Sequence, residues 1–433
     1  MASMAANLAT GAQQRAVPRV AALYLAGVQF LFATMWTVYA IFLPTLAGAV
    51  GIPGAWVIWI LMGDQVVFMV MDVTMGVAAD RMLRLYGRLA APILAATAVS
   101  CLAFLLMPLV AQSGGGREPG LIVVLFILMA VWTITSSALR APPWVMLAKY
   151  AAAPSVPWLA ALTLVGLSVA GAIAPYLGVA LRNADPRLPF GVSSLTLLAV
   201  TAGLLWVERA LARAGGEGRS AQPAGPAGAT AGAPPETAEP ASVMPIFVGA
   251  VGVLACGFQI HSAFNSGPQY LRYAPQSDLE YLLPIFWIGF NLCSFPVAGL
   301  SVRAGGLAVM AWGGAVGAAG TLLAALAPNL GLTILGQLVA GGAWGAVLTA
   351  GLATAVGLGR TGREGFTLGL WFSVQAVATL LRMALVAGEV NKLPDFLALM
   401  AWAPPVLWLA GALLLATAIA RALARRSTQP ASA

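Results

Sequence analysis

The chain has 433 residues and a formal net charge of +8, with 60% of its residues hydrophobic and only 8% charged. So little charge on so much apolar surface excludes an ordinary soluble globule. Three cysteines, Cys101, Cys256 and Cys293, lie inside apolar runs and form neither a disulfide framework nor a metal-ligand spacing.

A bilayer crossing needs about 20 apolar residues, and twelve such runs follow one another. In the first half they are expected over 20–47, 54–79, 89–111, 121–140, 156–181 and 191–211. In the second half they fall over 243–263, 279–302, 307–327, 330–358, 366–389 and 396–420. The first is too long for a cleaved signal peptide and lacks a small-residue cleavage pattern after it. Lys and Arg are retained in cytoplasmic loops. An inside N-terminus puts fifteen of them on the cytoplasmic side and five outside, with Arg140 and Arg382 within spans. Both termini are therefore expected in the cytoplasm, and the positive balance reflects topology rather than nucleic-acid binding.

Residues 214–242, rich in Ala, Gly, Pro and Glu, cannot bury apolar surface and are expected to be a disordered cytoplasmic linker. The linker divides the spans six and six. The expected layout is a tail over 1–19, a six-helix bundle over 20–213, the linker, a second bundle over 243–424 and a tail over 425–433. Glycine pairs such as Gly313-Gly314 and Gly341-Gly342 predict close helix packing. Pro142-Pro143 predicts an end or kink of the fourth span near Arg140, because two residues without N–H break the ladder.

Between the second and third spans stands Gly76-x-x-x-Asp80-Arg81, followed by Gly87-Arg88. This pattern resembles the corresponding loop of major facilitator superfamily transporters. The resemblance implies an all-α membrane protein of twelve transmembrane helices in two six-helix bundles, working by alternating access. Gly76, Asp80, Arg81, Gly87 and Arg88 become candidate gating residues, with Asp80 capping the start of the eleventh span near Phe366 by charge–dipole attraction. With Asp72 and Pro92 added, the stretch is similar to the glycoside–pentoside–hexuronide cation symporter branch. That likeness implies a coupling-ion role for Asp72. The branch's further acid falls at Phe68, which favours H+ over Na+. Leu139-Arg140-Ala141-Pro142 resembles the end of the fourth span in sucrose carriers, although Lys149 and an Ala/Pro run replace the charged residues expected just beyond.

A charge at mid-membrane costs about 2.5–3.5 kcal/mol on insertion scales, so each one needs a reason. Asp72 and Arg140 reach similar depth and are expected to face each other, as a coupling acid with its partner or as a static ion pair. Asp64, about 13 Å from the outer end of the second span at helical rise, is matched in depth by Arg382. Spans two and eleven are neighbours in the resembled fold. Asp64 therefore either gates the outer side through Arg382 or faces an outer vestibule. Gln375, Arg382 and Glu389 repeat at seven residues and share one helix face, which suits a water-filled path. His261, the only histidine, is either a second coupling group or an interfacial or hydrogen-bonded residue. Trp36, Tyr39 and Trp344 lie deep enough to flank a central cavity, while other tryptophans suit the interfacial belt.

No metalloprotease, Walker, nucleophile-elbow or Cys-His pattern is present, so neither an enzyme nor a nucleotide-driven pump is expected. The expectation is a monomeric, cofactor-free secondary transporter of the inner membrane, its Ala/Gly/Arg-heavy usage pointing to a bacterial source. It would move a small anionic or sugar-like organic solute with protons, with Arg140 and Arg382 binding it. Efflux of lipophilic drugs or lipids is the alternative in the same class. A non-transporting membrane factor that binds a pigment, lipid or protein is the alternative outside it.

Overall fold

The structure, a computed structural model, describes residues 2–113, 118–220, 243–359 and 362–428. Among these residues there is no strand, and twelve helices are long and apolar enough to cross a bilayer. Helices α1 to α6 are Arg19–Ala49, Gly54–Tyr86, Ala90–Ala111, Pro119–Tyr150, Ala153–Ala180 and Arg187–Arg213. Helices α7 to α12 are Met244–Leu271, Gln276–Ala304, Gly306–Leu326, Leu330–Leu358, Glu364–Ala387 and Pro394–Arg421. Short connections join α1 to α2 and α11 to α12, and the last turns of α2 meet the start of α11, so α1 begins and α12 ends on one side, called here the terminal face. The helix of α1 runs back to Ala2 and that of α12 on to Thr428, through parts of both expected tails. The helix of α6 continues to Ser220, into the expected linker; residues 221–242 of that linker lie outside the described residues.

Local chemistry places the helix ends. Gly87 adopts φ 68° and donates its N–H to the Leu83 carbonyl, ending α2 in a left-handed turn that a side chain would strain. The buried Glu208 carboxylate accepts from the backbone N–H of Leu89 (2.6 Å) and Ala90 (3.2 Å), a negative charge on the free donors where α3 begins. Asn329 caps α10, its Oδ1 accepting from the Leu332 N–H.

Two helices are interrupted. In α4 the α-helix stops at Ser136, passes through a tight turn over Ser137–Leu139, and resumes at Pro142. Gln29 of α1 donates to the Leu139 carbonyl at 2.7 Å, satisfying one of the acceptors that the break frees. In α7 the stretch His261–Asn265 widens into a π-turn, a device that often marks functional positions.

Each bundle packs around small residues. α1 lies along α5 and α6, and Thr163 of α5 donates to the Ala22 carbonyl. In the second bundle α10 is the most buried of the twelve, wedged against α8 and α9 through Gly336, Ala340, Gly341 and Gly342. Close approach of this kind is how helices associate where lipid removes the hydrophobic drive. Trp56, Trp59, Trp206, Trp312 and Trp402 are exposed on the outer surface and suit the interfacial belt.

Candidate functional site

Where the bundles meet lies a cavity of about 400 Å³, walled by α1, α2, α4 and α5 from the first bundle and α7, α8, α10 and α11 from the second. Nine aromatic side chains line it: Phe32, Trp36, Phe68, Trp144, Phe258, Trp287, Trp344, Trp371 and Phe372. Four glutamines (Gln29, Gln65, Gln259, Gln375) and the threonines Thr37, Thr163 and Thr379 supply polar groups. The charged residues of the wall are Arg140 and Arg382; no carboxylate lines it.

Arg140 projects from the break in α4. Its Nε lies 3.1 Å from Asp72 Oδ1, and Asp72 on α2 is fully buried behind it. The guanidinium sits 4.6 Å from the Phe68 ring centroid and 5.4 Å from that of Phe372, so the two bundles share its flat faces. The expected facing of Asp72 and Arg140 is thus present. Arg382 keeps its Nε without a hydrogen-bond partner among the described residues. Gln375 lines the cavity on the same face of α11. The third member of that stripe does not: α11 ends at Ala387, and Glu389 turns into a left-handed conformation where its carboxylate meets Lys392 Nζ at 2.7 Å.

Asp64 also differs from expectation. Its carboxylate accepts from Tyr39 Oη (2.9 Å) and Thr133 Oγ1 (2.8 Å), and no ion pair joins it to Arg382 among the described residues. Both donors sit on α1 and α4 of its own bundle and give one bond to each carboxylate oxygen. Tyr39 is accordingly fully buried behind the wall, while Trp36 reaches the cavity and stacks on Trp132 at 5.3 Å and 12°. Trp344 lines the opposite side, stacked on Phe258 at 4.5 Å and 8°.

His261 is fully buried at the π-turn, off the cavity. Its Nε2 lies 2.9 Å from Gln337 Oε1, and Gln337 donates onward to Gln269. Gln259, two residues before it, donates to Thr379 in the cavity wall. Gln29, Gln65, Gln259, Trp144, Trp287 and Trp371 had only the signal of polar or aromatic residues deep in a span; nothing in the sequence assigns them to one wall.

At the terminal face the bundles are joined along α2 and α11. Gly76 stacks against the backbone of Gly365, and Asp72 and Val73 against Gly369, so that a Cβ at Gly76 would overlap the Gly365 carbonyl. Ser373 donates to the Met69 carbonyl at 2.8 Å. Asp80 Oδ1 accepts from the Gly365 N–H (2.7 Å) and Oδ2 from the Phe366 N–H (2.9 Å), so its charge sits on the α11 N-terminus. Arg84 completes the latch with a 2.9 Å bond to the Gly362 carbonyl. Lys149 donates to the Gly87 carbonyl within the first bundle. Arg81 and Arg88 add no hydrogen bond here among the described residues.

No protein-family model matches the chain, and no curated protein does. Solved structures do share its fold. The human organic anion transporter MFSD10 (TETRAN) superposes with TM-score 0.67 at 14% identity, over 92% of this chain and 99% of its own. A bacterial homologue of the iron transporter ferroportin in an outward-facing state gives TM-score 0.67 at 13% identity, over 93% and 100%. At such identities the fold alone is shared: the twelve-helix, two-bundle major facilitator architecture.

Proposed function

We propose that this protein is a secondary transporter for an amphipathic organic anion, coupled to protons. The observation that carries the reading is the wall itself: two guanidinium groups, no lining carboxylate and nine aromatic rings around about 400 Å³ between two bundles. Arginine in such a place matches a carboxylate, sulfonate or phosphate by paired donors. Trp36 and the other rings of the wall offer apolar surface to the body of such a solute. One structural neighbour, MFSD10, is an organic anion transporter, which agrees with this chemistry.

Coupling follows from the Asp72–Arg140 contact. A substrate anion drawing Arg140 toward the cavity leaves Asp72 a buried carboxylate without its counter-charge, a state costly enough that taking up a proton is the ready remedy. Anion and proton then travel together. In this reading the α2–α11 latch closes the cytoplasmic side, and the halves rock about the cavity to expose it alternately. The aromatic wall also favours a second reading, efflux of a lipophilic solute.

Flux in proteoliposomes separates these. The transport reading expects an inward pH gradient to drive uptake of an aromatic carboxylate such as 1-naphthoate, with its neutral amide carried at least tenfold more slowly. Equal rates for acid and amide favour the lipophilic reading. Movement of neither probe, nor of a wider set of anions, points to a binding factor.

A further inference from the structure

Helices α2 and α4 are tied at two levels. Asp72 meets Arg140 at one, and Asp64 meets Thr133 at the other. The acids are eight residues apart, about 12 Å at helical rise, with Phe68 midway on the same face. The lower tie is a carboxylate with a cation. The upper tie is a carboxylate with neutral hydroxyls only, although Asp64 is just 6% exposed.

A carboxylate that deep cannot stay charged cheaply without a cation. The groups that surround it are few. α1 presents the Tyr39 hydroxyl and α4 the Thr133 hydroxyl; the cations of α4 are Arg140, held at Asp72, and Lys149 at the terminal face. α11 brings Arg382, which lines the cavity and has no bond to Asp64. Two hydroxyls, one on each oxygen, therefore stand where a cation would be expected, and hydroxyls can serve a carboxylate or a carboxylic acid by reorienting.

We propose that Asp64, with Tyr39 and Thr133, is a proton-binding site, distinct from the Asp72–Arg140 pair. The exchange is a simple one: the carboxylic acid gives its proton to water and becomes the carboxylate, and takes it back in reverse. The ionised form holds the two hydroxyls at their present 2.9 and 2.8 Å. The protonated form has one fewer pair of electrons to offer and loosens Tyr39. The Tyr39 ring lies 5.3 Å from Trp36 and 4.4 Å from Trp132, so its movement passes to the Trp36 face in the cavity wall. That last consequence rests on the transport reading; the proton site does not.

Infrared spectroscopy on the purified full-length protein in lipid, with no solute added, reads the site directly. A carboxylic acid C=O band that shifts on deuteration and fades as pH rises is expected in the wild type. It should be lost in Asp64→Asn and kept in Asp72→Asn. Tyr39→Phe and Thr133→Val keep the acid but each removes a donor to the carboxylate. In both, the fading midpoint should move up by about one pH unit, the worth of one charge-assisted bond. A band that survives Asp64→Asn, or midpoints unmoved in both donor variants, overturns the proposal. Because no flux is measured, a chain that transports nothing would sink the transport reading and leave this site standing.

Discussion

Asp72 and Arg140 lie 3.1 Å apart, yet neither carboxylate oxygen of Asp72 gains an aligned hydrogen bond among the described residues. The attraction is electrostatic, and Arg140 also rests on Phe68 and Phe372. Such a pair is held by charge and released by competing charge. Arg140→Gln leaves a fully buried carboxylate alone, which costs roughly 3–5 kcal/mol when both partners are buried. Arg140 faces the cavity, so the lower end applies. We expect Arg140→Gln to lower the unfolding temperature in detergent more than the double variant Asp72→Asn/Arg140→Gln does. Additive losses would show that the pair is not coupled.

Arg382 brings an unengaged Nε to the cavity. A bond from a charged donor is worth about 1.5–3 kcal/mol. Arg382→Gln should therefore raise KM for an anionic solute about 10- to 100-fold and leave that for its neutral analogue near the wild-type value. Equal changes for both solutes would assign Arg382 a structural part.

Asp80 places both oxygens on the free N–H groups of α11. A charge at a helix N-terminus contributes roughly 0.3–2 kcal/mol. Asp80→Ala should shift the population toward opening at the terminal face by a few-fold or more. A cysteine replacing the cavity residue Ala376, with the three native cysteines removed, should then react faster with a membrane-impermeant thiol reagent added on that face. Unchanged labelling would refute the latch.

Gly76 has no room for a methyl group against the Gly365 carbonyl. Gly76→Val should forbid the observed α2–α11 contact, abolish flux and leave the protein monodisperse on size exclusion. Normal transport by this variant would show that the contact is dispensable.

The spans, the break at Pro142 and the shared level of Asp72 and Arg140 were legible in the sequence because they depend on runs and counts along one chain. Asp80 was placed at Phe366, and the structure shows that contact beside Gly365. Azimuth was not legible. Asp64 and Arg382 were matched by counting from their span ends, but such a count does not say which face of α2 turns inward, and hydroxyls on α1 and α4 hold Asp64. Glu389 kept the seven-residue period of Gln375 and Arg382, but the helix carrying that period stops at Ala387. His261 found Gln337, 76 residues away, a pairing that no local pattern encodes. The cavity wall draws on eight helices, each contributing a few residues of ordinary type, so only the assembled bundles reveal it.

The glycine contact between α2 and α11 also fixes the mechanics of the molecule. With backbone against backbone at Gly76 and Gly365 and no side chain between, this contact is a fulcrum set close to one end of both helices. From Gly76 to the far end of α2 at Gly54 is an arm of about 33 Å at helical rise. A roll of about 10° there would carry the far end through about 6 Å by the same geometry. In the transport reading, leverage of that kind would turn a tilt that disturbs few contacts at the pivot into an opening wide enough for a ring-sized solute.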